Sequence, residues 1–218
     1  MGTFAALQTA LASDLRDGSN LSFNTTQIAA FIDEGVIEVG RIAPARFQED
    51  VTVVADTLTY ALQSGSYPDL EVHRVEVWDL SYTPDKFCWL LEPRSSGYSL
   101  ATDAGWEVWD GTLRLPNGIE EQLVVGTHVI KVWGWRPYPL VSGSTEMPMT
   151  DELEWAVRAY AKMAAIESLL ASRNVYTQWQ TAGSATDATP ASLHAQLSAA
   201  RQDWERRSRQ IARLRGGN

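Results

Sequence analysis

Cysteine is almost absent from this chain of 218 residues. The single thiol, Cys88, excludes an internal disulfide and suits a reducing compartment. The glycosylation-type triplets Asn20-Leu21-Ser22 and Asn24-Thr25-Thr26 are then expected to be chance matches. No apolar run approaches the roughly 18 residues of a membrane span. The opening residues, Met1-Gly2-Thr3-Phe4, have neither a basic segment nor a continuous apolar stretch, so no secretory signal is expected. Histidine is scarce too. His73, His128 and His194 show no HxH or HExxH spacing of the kind that brings metal ligands together. Glycine-rich phosphate loops and GxSxG elbows are missing. The carboxylate pairs Asp33-Glu34 and Glu120-Glu121 are adjacent in sequence, and adjacent side chains on a helix do not face each other. Cys88, between Phe87 and Trp89 in a strand-like stretch, lacks the electropositive setting of an activated thiolate. These absences point to a protein that is not an enzyme and uses no cofactor or metal. An enzyme would need an unseen convergence of Asp56, Asp79, His73 and His128.

Positive charge is also in short supply. The net charge of −9 argues against general nucleic-acid binding, which needs a basic footprint. The imbalance is uneven. Of that total, residues 201–218 hold six arginines against Asp203 and Glu205, a net of +4, which leaves −13 on the first 200 residues. An acidic body with a basic tail suits self-association or docking on an acidic partner. Tryptophan, by contrast, is plentiful at nine, and Trp is enriched in cores and at protein interfaces.

The apolar period divides the chain into three parts: two helices over residues 1–46, a β-domain over 47–149, and further helices over 150–218. A first helix is expected over residues 3–17, with Phe4, Leu7, Leu11 and Leu15 as its apolar stripe. The second starts at Asn24, an N-cap with Gln27 at the third helical position. Phe23 and Ile28 make a hydrophobic staple, and Pro44 ends the helix. Strands are expected over residues 51–56, 72–81, 87–92, 105–109, 112–115 and 128–135, rich in Val, Trp and Thr. Asp110-Gly111 and Asn117-Gly118 are hairpin-type dipeptides, while residues 58–63 read equally as strand or helical turn. Thr150, followed by Asp151 and Glu152, opens a long alanine-rich helix to about Arg173. A short helical piece over 175–181 follows, and Thr189-Pro190 opens a last helix. That helix carries Leu193, Leu197, Ala200, Trp204, Ile211 and Leu214 on a heptad-like seam. The fold class is therefore α+β: a helical bundle from both chain ends with an inserted antiparallel β-sandwich or small barrel. The cluster Trp133-Gly134-Trp135-Arg136-Pro137-Tyr138-Pro139 has three readings. It is a binding hot spot, the lining of a sugar or peptide groove, or two rings turned into the β-core.

This layout resembles the head–tail connector (adaptor, or head-completion) proteins of tailed bacteriophages. The resemblance rests on Phe23 to Gly35, on the Asp-Glu-Leu-Glu start and alanine-rich middle of the 150–173 helix, on Ser172-Arg173-Asn174-Val175-Tyr176, and on the closing amphipathic helix. It covers about half of the chain, and larger relatives carry a comparable β insertion. It implies a structural virion protein, assembled in the host cytoplasm. Such a protein forms a homo-oligomeric, typically dodecameric ring between the portal protein and a stopper, neck or tail-terminator protein, and DNA passes through without specific binding. On that footing Leu193, Leu197, Trp204, Arg206, Arg207, Arg209, Ile211 and Arg213 are candidates for the portal interface. Asp14, Asp17, Asp33, Glu34 and Glu38 are candidates for an acidic lumen, which would repel phosphates. Trp133, Trp135, Arg136 and Tyr138 are candidate contacts of the β-domain. The alternatives are another virion neck or tail assembly protein, or a Trp-rich β-sandwich that binds glycan or peptide.

Overall fold

A computed structural model of the chain describes residues 3–15, 23–62, 70–94, 105–141, 149–172, 177 and 190–216. The fold is α+β, with helices contributed by both chain ends and an antiparallel β region between them. The chain divides into two compact units, one of residues 1–44 with 138–218 and one of residues 45–137.

Four helices lie among the described residues of the first unit. They are α1 (Phe4–Asp14), α2 (Thr25–Ile42), α3 (Asp151–Ala171) and α4 (Pro190–Gly216). Local chemistry explains their starts. The Thr3 hydroxyl accepts from the Ala6 amide at 3.1 Å. Asn24 and Gln27 form a complete capping box: the Asn24 side chain accepts from the Gln27 amide at 2.8 Å, and Gln27 Oε1 accepts from the Asn24 amide at 2.9 Å. The staple residues Phe23 and Ile28 are buried. Thr150 occupies the N-cap position of α3 without a side-chain capping bond, so the first-turn acids Asp151, Glu152 and Glu154 are what favours that start, through the helix dipole. α2 approaches α3 closely at Gly35. A Cβ there would sit 2.8 Å from the Val157 carbonyl oxygen, well inside contact distance. One core joins Leu11, Ile32, Val36, Val157, Ile166, Leu169, Leu193 and Ile211. Val141 and Met149 belong to it as well, and Tyr138 packs against it. The segment after Pro137 therefore goes with the helices, whereas the sequence pattern assigned it to the β-domain.

The second unit holds β1 (Ala45–Thr52), β2 (Thr59–Ala61), β3 (Glu71–Asp79), β4 (Lys86–Leu91), β5 (Glu107–Trp109), β6 (Thr112–Arg114) and β7 (His128–Arg136). They form an antiparallel sheet in the order β1-β7-β3-β4 and a smaller antiparallel sheet in the order β2-β6-β5. Both sheets contribute to one core, with Phe47, Val75, Val77, Ile130 and Val132 from the larger and Tyr60 and Leu113 from the smaller. β1 starts directly after Pro44, earlier than the expected strand at residue 51. Its buried residues are Phe47 and Val51, so the alternation is sparse and polar residues obscure it. Residues 59–61 are strand, which resolves the ambiguity over 58–63. Asp110 and Gly111 both have positive φ, 47° and 69°, as a two-residue turn joining β5 to β6 requires. Asn117-Gly118 makes a turn but joins no paired strands, so it is not a hairpin. Gly134 must be glycine, because a Cβ there would collide with the Glu71 carbonyl oxygen and the Phe47 ring.

Candidate interaction surfaces

The last helix keeps its apolar seam for its own chain. Leu193, Leu197 and Ile211 are buried in the helical core, and Trp204 packs edge-on against Tyr160, ring centroids 5.2 Å apart. The expectation that these four residues anchor a portal groove is therefore corrected. A heptad seam needs a partner, and the alanine-rich face of α3 supplies it within the same chain. The arginines are partly neutralised at home. Arg201 pairs with Glu167 at 2.7 Å, Arg206 and Arg207 both with Asp203, and Arg209 with Glu205. Partial burial pushes the Asp203 carboxyl up, but the hydrogen bonds from Arg207 and Arg206 outweigh it and hold the group below its ordinary value. Arg213 is exposed.

The proposed lumen acids separate into different roles. Asp14 is half-buried and bound to Arg158 at 2.8 Å. Asp33 accepts from the Val141 amide at 3.0 Å, which ties the returning chain to α2. Glu38 pairs with Arg41 on its own helix, and Glu34 is exposed. Asp17 lies outside the described residues. Asp14 and Asp33 thus both hold contacts within the helical unit.

Two flanks of α3 carry opposite chemistry. On one, Asp14, Trp155, Arg158, Lys162, Asp203 and Arg207 line a cleft of about 410 Å³. Trp155 is 56% exposed there, and the Arg207 guanidinium lies 5.8 Å from its ring centroid. On the other, the Tyr160 phenol is pushed above its ordinary pKa, first by burial and then by Glu38, Glu34 and Glu167. Sequence reading missed Trp155 because its stripe followed Leu153, Val157 and Tyr160. A Trp placed off that stripe was the available signal.

In the β unit the larger sheet has one face on the core and one face off it. Trp133 and Trp135 lie on the second face, half-exposed, so they are not turned into the β-core. The register places Trp133 opposite Arg74 and Gln48, and Trp135 opposite Arg46. Arg46 lies 5.0 Å from the Trp135 ring centroid, Arg74 lies 5.4 Å from that of Trp133, and Lys131 lies 4.6 Å from that of Trp78. Glu76 is fully buried on this face. Its Oε2 accepts from Trp78 Nε1 at 2.7 Å, while Oε1 meets Arg74 as an ion pair without hydrogen-bond geometry. Phe87 and Leu90 of the edge strand β4 are exposed, as is Trp109 at the β5–β6 turn. Aromatic rings alternating with Arg, beside exposed apolar side chains, have the composition of a protein-contact surface. The expected cluster is divided: Arg136 ends β7, whereas Tyr138 belongs to the helical unit, where burial raises its pKa.

No protein-family model matches this sequence, and no curated protein matches it either. What the chain does is therefore read from its own surfaces.

One polar cluster needs the same scrutiny. Asp79, Cys88 and His128 bring their ligand atoms within 4.8 Å of one another, each half-buried. Asp79 and His128 are register partners, but Asp56 sits in a turn after β1 and His73 stacks on Trp135. The Ser81 hydroxyl and amide both donate to Asp79, which holds its carboxyl below the usual range. The Val124 amide donates to His128 Nδ1 at 3.0 Å. Asp79 on β3 and His128 on β7 are thus each also held by a neighbouring loop residue, Ser81 and Val124.

Proposed function

We propose that the protein is a structural virion subunit, a head–tail connector adaptor that forms a ring beneath the portal and joins capsid to tail. The supporting observation is the combination of a helical unit made from both chain ends with an inserted β unit that presents a cation–aromatic face. Such a face gains most when a partner covers it. The acidic body suits a subunit beside passing DNA, since it adds no phosphate affinity. On this reading the protein is not an enzyme, assembles in the host cytoplasm and has a portal and a stopper or neck protein as partners. Portal contact falls to the solvent-facing arginines of α4, Arg206, Arg209 and Arg213, with no apolar anchors from its seam.

Negative-stain electron microscopy of the purified protein, alone and mixed with portal, tests the proposal. Rings that attach to portals are expected; a monomer at every concentration, indifferent to portal, overturns it. Glycan binding is the second reading, favoured by Trp133 and Trp135 on one sheet face. It is the weaker one, because a sugar stacking on either ring would compete with Arg74 or Arg46 already there. A glycan array with the monomeric protein decides between them.

A further inference from the structure

We infer that the two flanks of α3 are complementary halves of a contact between copies of this chain: the Trp155–Lys162 cleft of one copy receives the Glu34–Ile37 edge of α2 from the next. The inference rests on the ring reading and assigns its subunit contact. In the cleft, Asp14 answers Arg158 and Asp203 answers Arg207, while Lys162, half-buried, has no ion pair among the described residues. One positive charge is left over in a chain that is otherwise strongly acidic. Around Tyr160 the ledger is reversed. Arg41 answers Glu38 and Arg201 answers Glu167, while exposed Glu34 has no ion pair among the described residues.

Each flank adds an apolar side chain beside its unanswered charge. Trp155 lies seven residues before Lys162, two helical turns along the same side of α3. Ile37, 42% exposed, lies three residues after Glu34 on the same side of α2. At 3.6 residues per turn, the cleft residues of α3 and the Tyr160–Glu167 side are separated by roughly 140° around the helix. The two surfaces therefore cannot meet within one chain, and each carries one unanswered charge of the sign that the other lacks. A contact between unlike surfaces is heterologous; repeated between identical subunits it propagates head to tail, and it gives a ring where the rotation closes and a filament where it does not. The charges set register, and the Trp155–Ile37 contact supplies apolar burial.

Reciprocal charge reversal tests this on the full chain, read as the concentration for half-assembly by analytical ultracentrifugation with microscopy. Circular dichroism checks the fold of each variant. Glu34→Lys and Lys162→Glu should each raise that concentration by about tenfold or more, and the double variant should restore assembly. Trp155→Ala and Ile37→Ser should weaken assembly in the same way without changing charge. If the single variants lose rings and the double variant does not regain them, the pairing is overturned. If wild type forms rings and the variants do so equally well, this contact is overturned while the ring reading stands. Rings that persist in the variants but no longer attach to portal would make the portal the occupant of the cleft, against the inference. A monomeric wild type overturns both.

Discussion

The helical and β units dispose of their apolar residues differently. The helices turn their stripes inward so fully that Leu193, Leu197 and Ile211, spaced like a docking seam, are consumed by α3 of the same chain. Among the described residues, the β unit has a four-stranded sheet with two faces and three further short strands that cover one of them. Its second face would ordinarily be polar. Here it carries Trp78, Trp133 and Trp135 under Lys131, Arg74 and Arg46. A helix can bury its one stripe against a neighbour, whereas a sheet always has a second side whose residues its own core does not use.

The contrast can be broken most severely in the helical core. Leu193→Ala empties a fully buried site and should cost about 3 kcal/mol, seen as a lower denaturation midpoint of the helical far-UV signal. Gly134→Ala is the counterpart in the β unit. The methyl must displace the Glu71 backbone or the Phe47 ring, at about 2 kcal/mol. Hydrogen exchange should then rise at β3 and β7 amides while α3 amides keep their protection. Trp133→Ala sharpens the comparison from the other side, because its ring lies off the core. The loss should be about 0.5–1 kcal/mol, the worth of its contact with Arg74, with the fold intact by circular dichroism. The smallest effect is on pH. Asp203 has a depressed folded-state pKa, so its contribution is present above the unfolded value near about 4 and lost as pH falls through the folded one. Thermal melts should show stability declining below about pH 4, less steeply in Asp203→Asn. Tyr160 is raised instead, so its contribution holds below about pH 10 and fades above it.

Several features were legible because their causes lie within a few residues. The Asn24–Gln27 box, the Phe23–Ile28 staple, the Asp110-Gly111 turn and the change of period after the second helix could all be read directly. β1 was misplaced because only Phe47 and Val51 mark its buried side and charged residues fill the rest. The end of the β unit was misplaced because Tyr138, Val141 and Met149 are too sparse to declare a period, yet all three pack with the helices. At the candidate surfaces, the sequence pointed to Trp133 and Trp135 but left open which way they face. It passed over Trp155, Lys162 and Trp78, whose meaning depends on neighbours far away along the chain.

By itself, the order of residues determined where helices begin, where the backbone period switches and that one helical body is interrupted by strands. Those are consequences of hydrogen bonds and torsional preferences acting over a few positions. Only the tertiary structure decided that the last helix's seam meets α3, that Asp14 and Asp33 are tied up within the helical unit, and that the tryptophans lie off the β-core. Burial belongs to pairs of surfaces brought together from distant stretches, and no local pattern specifies which pair will meet.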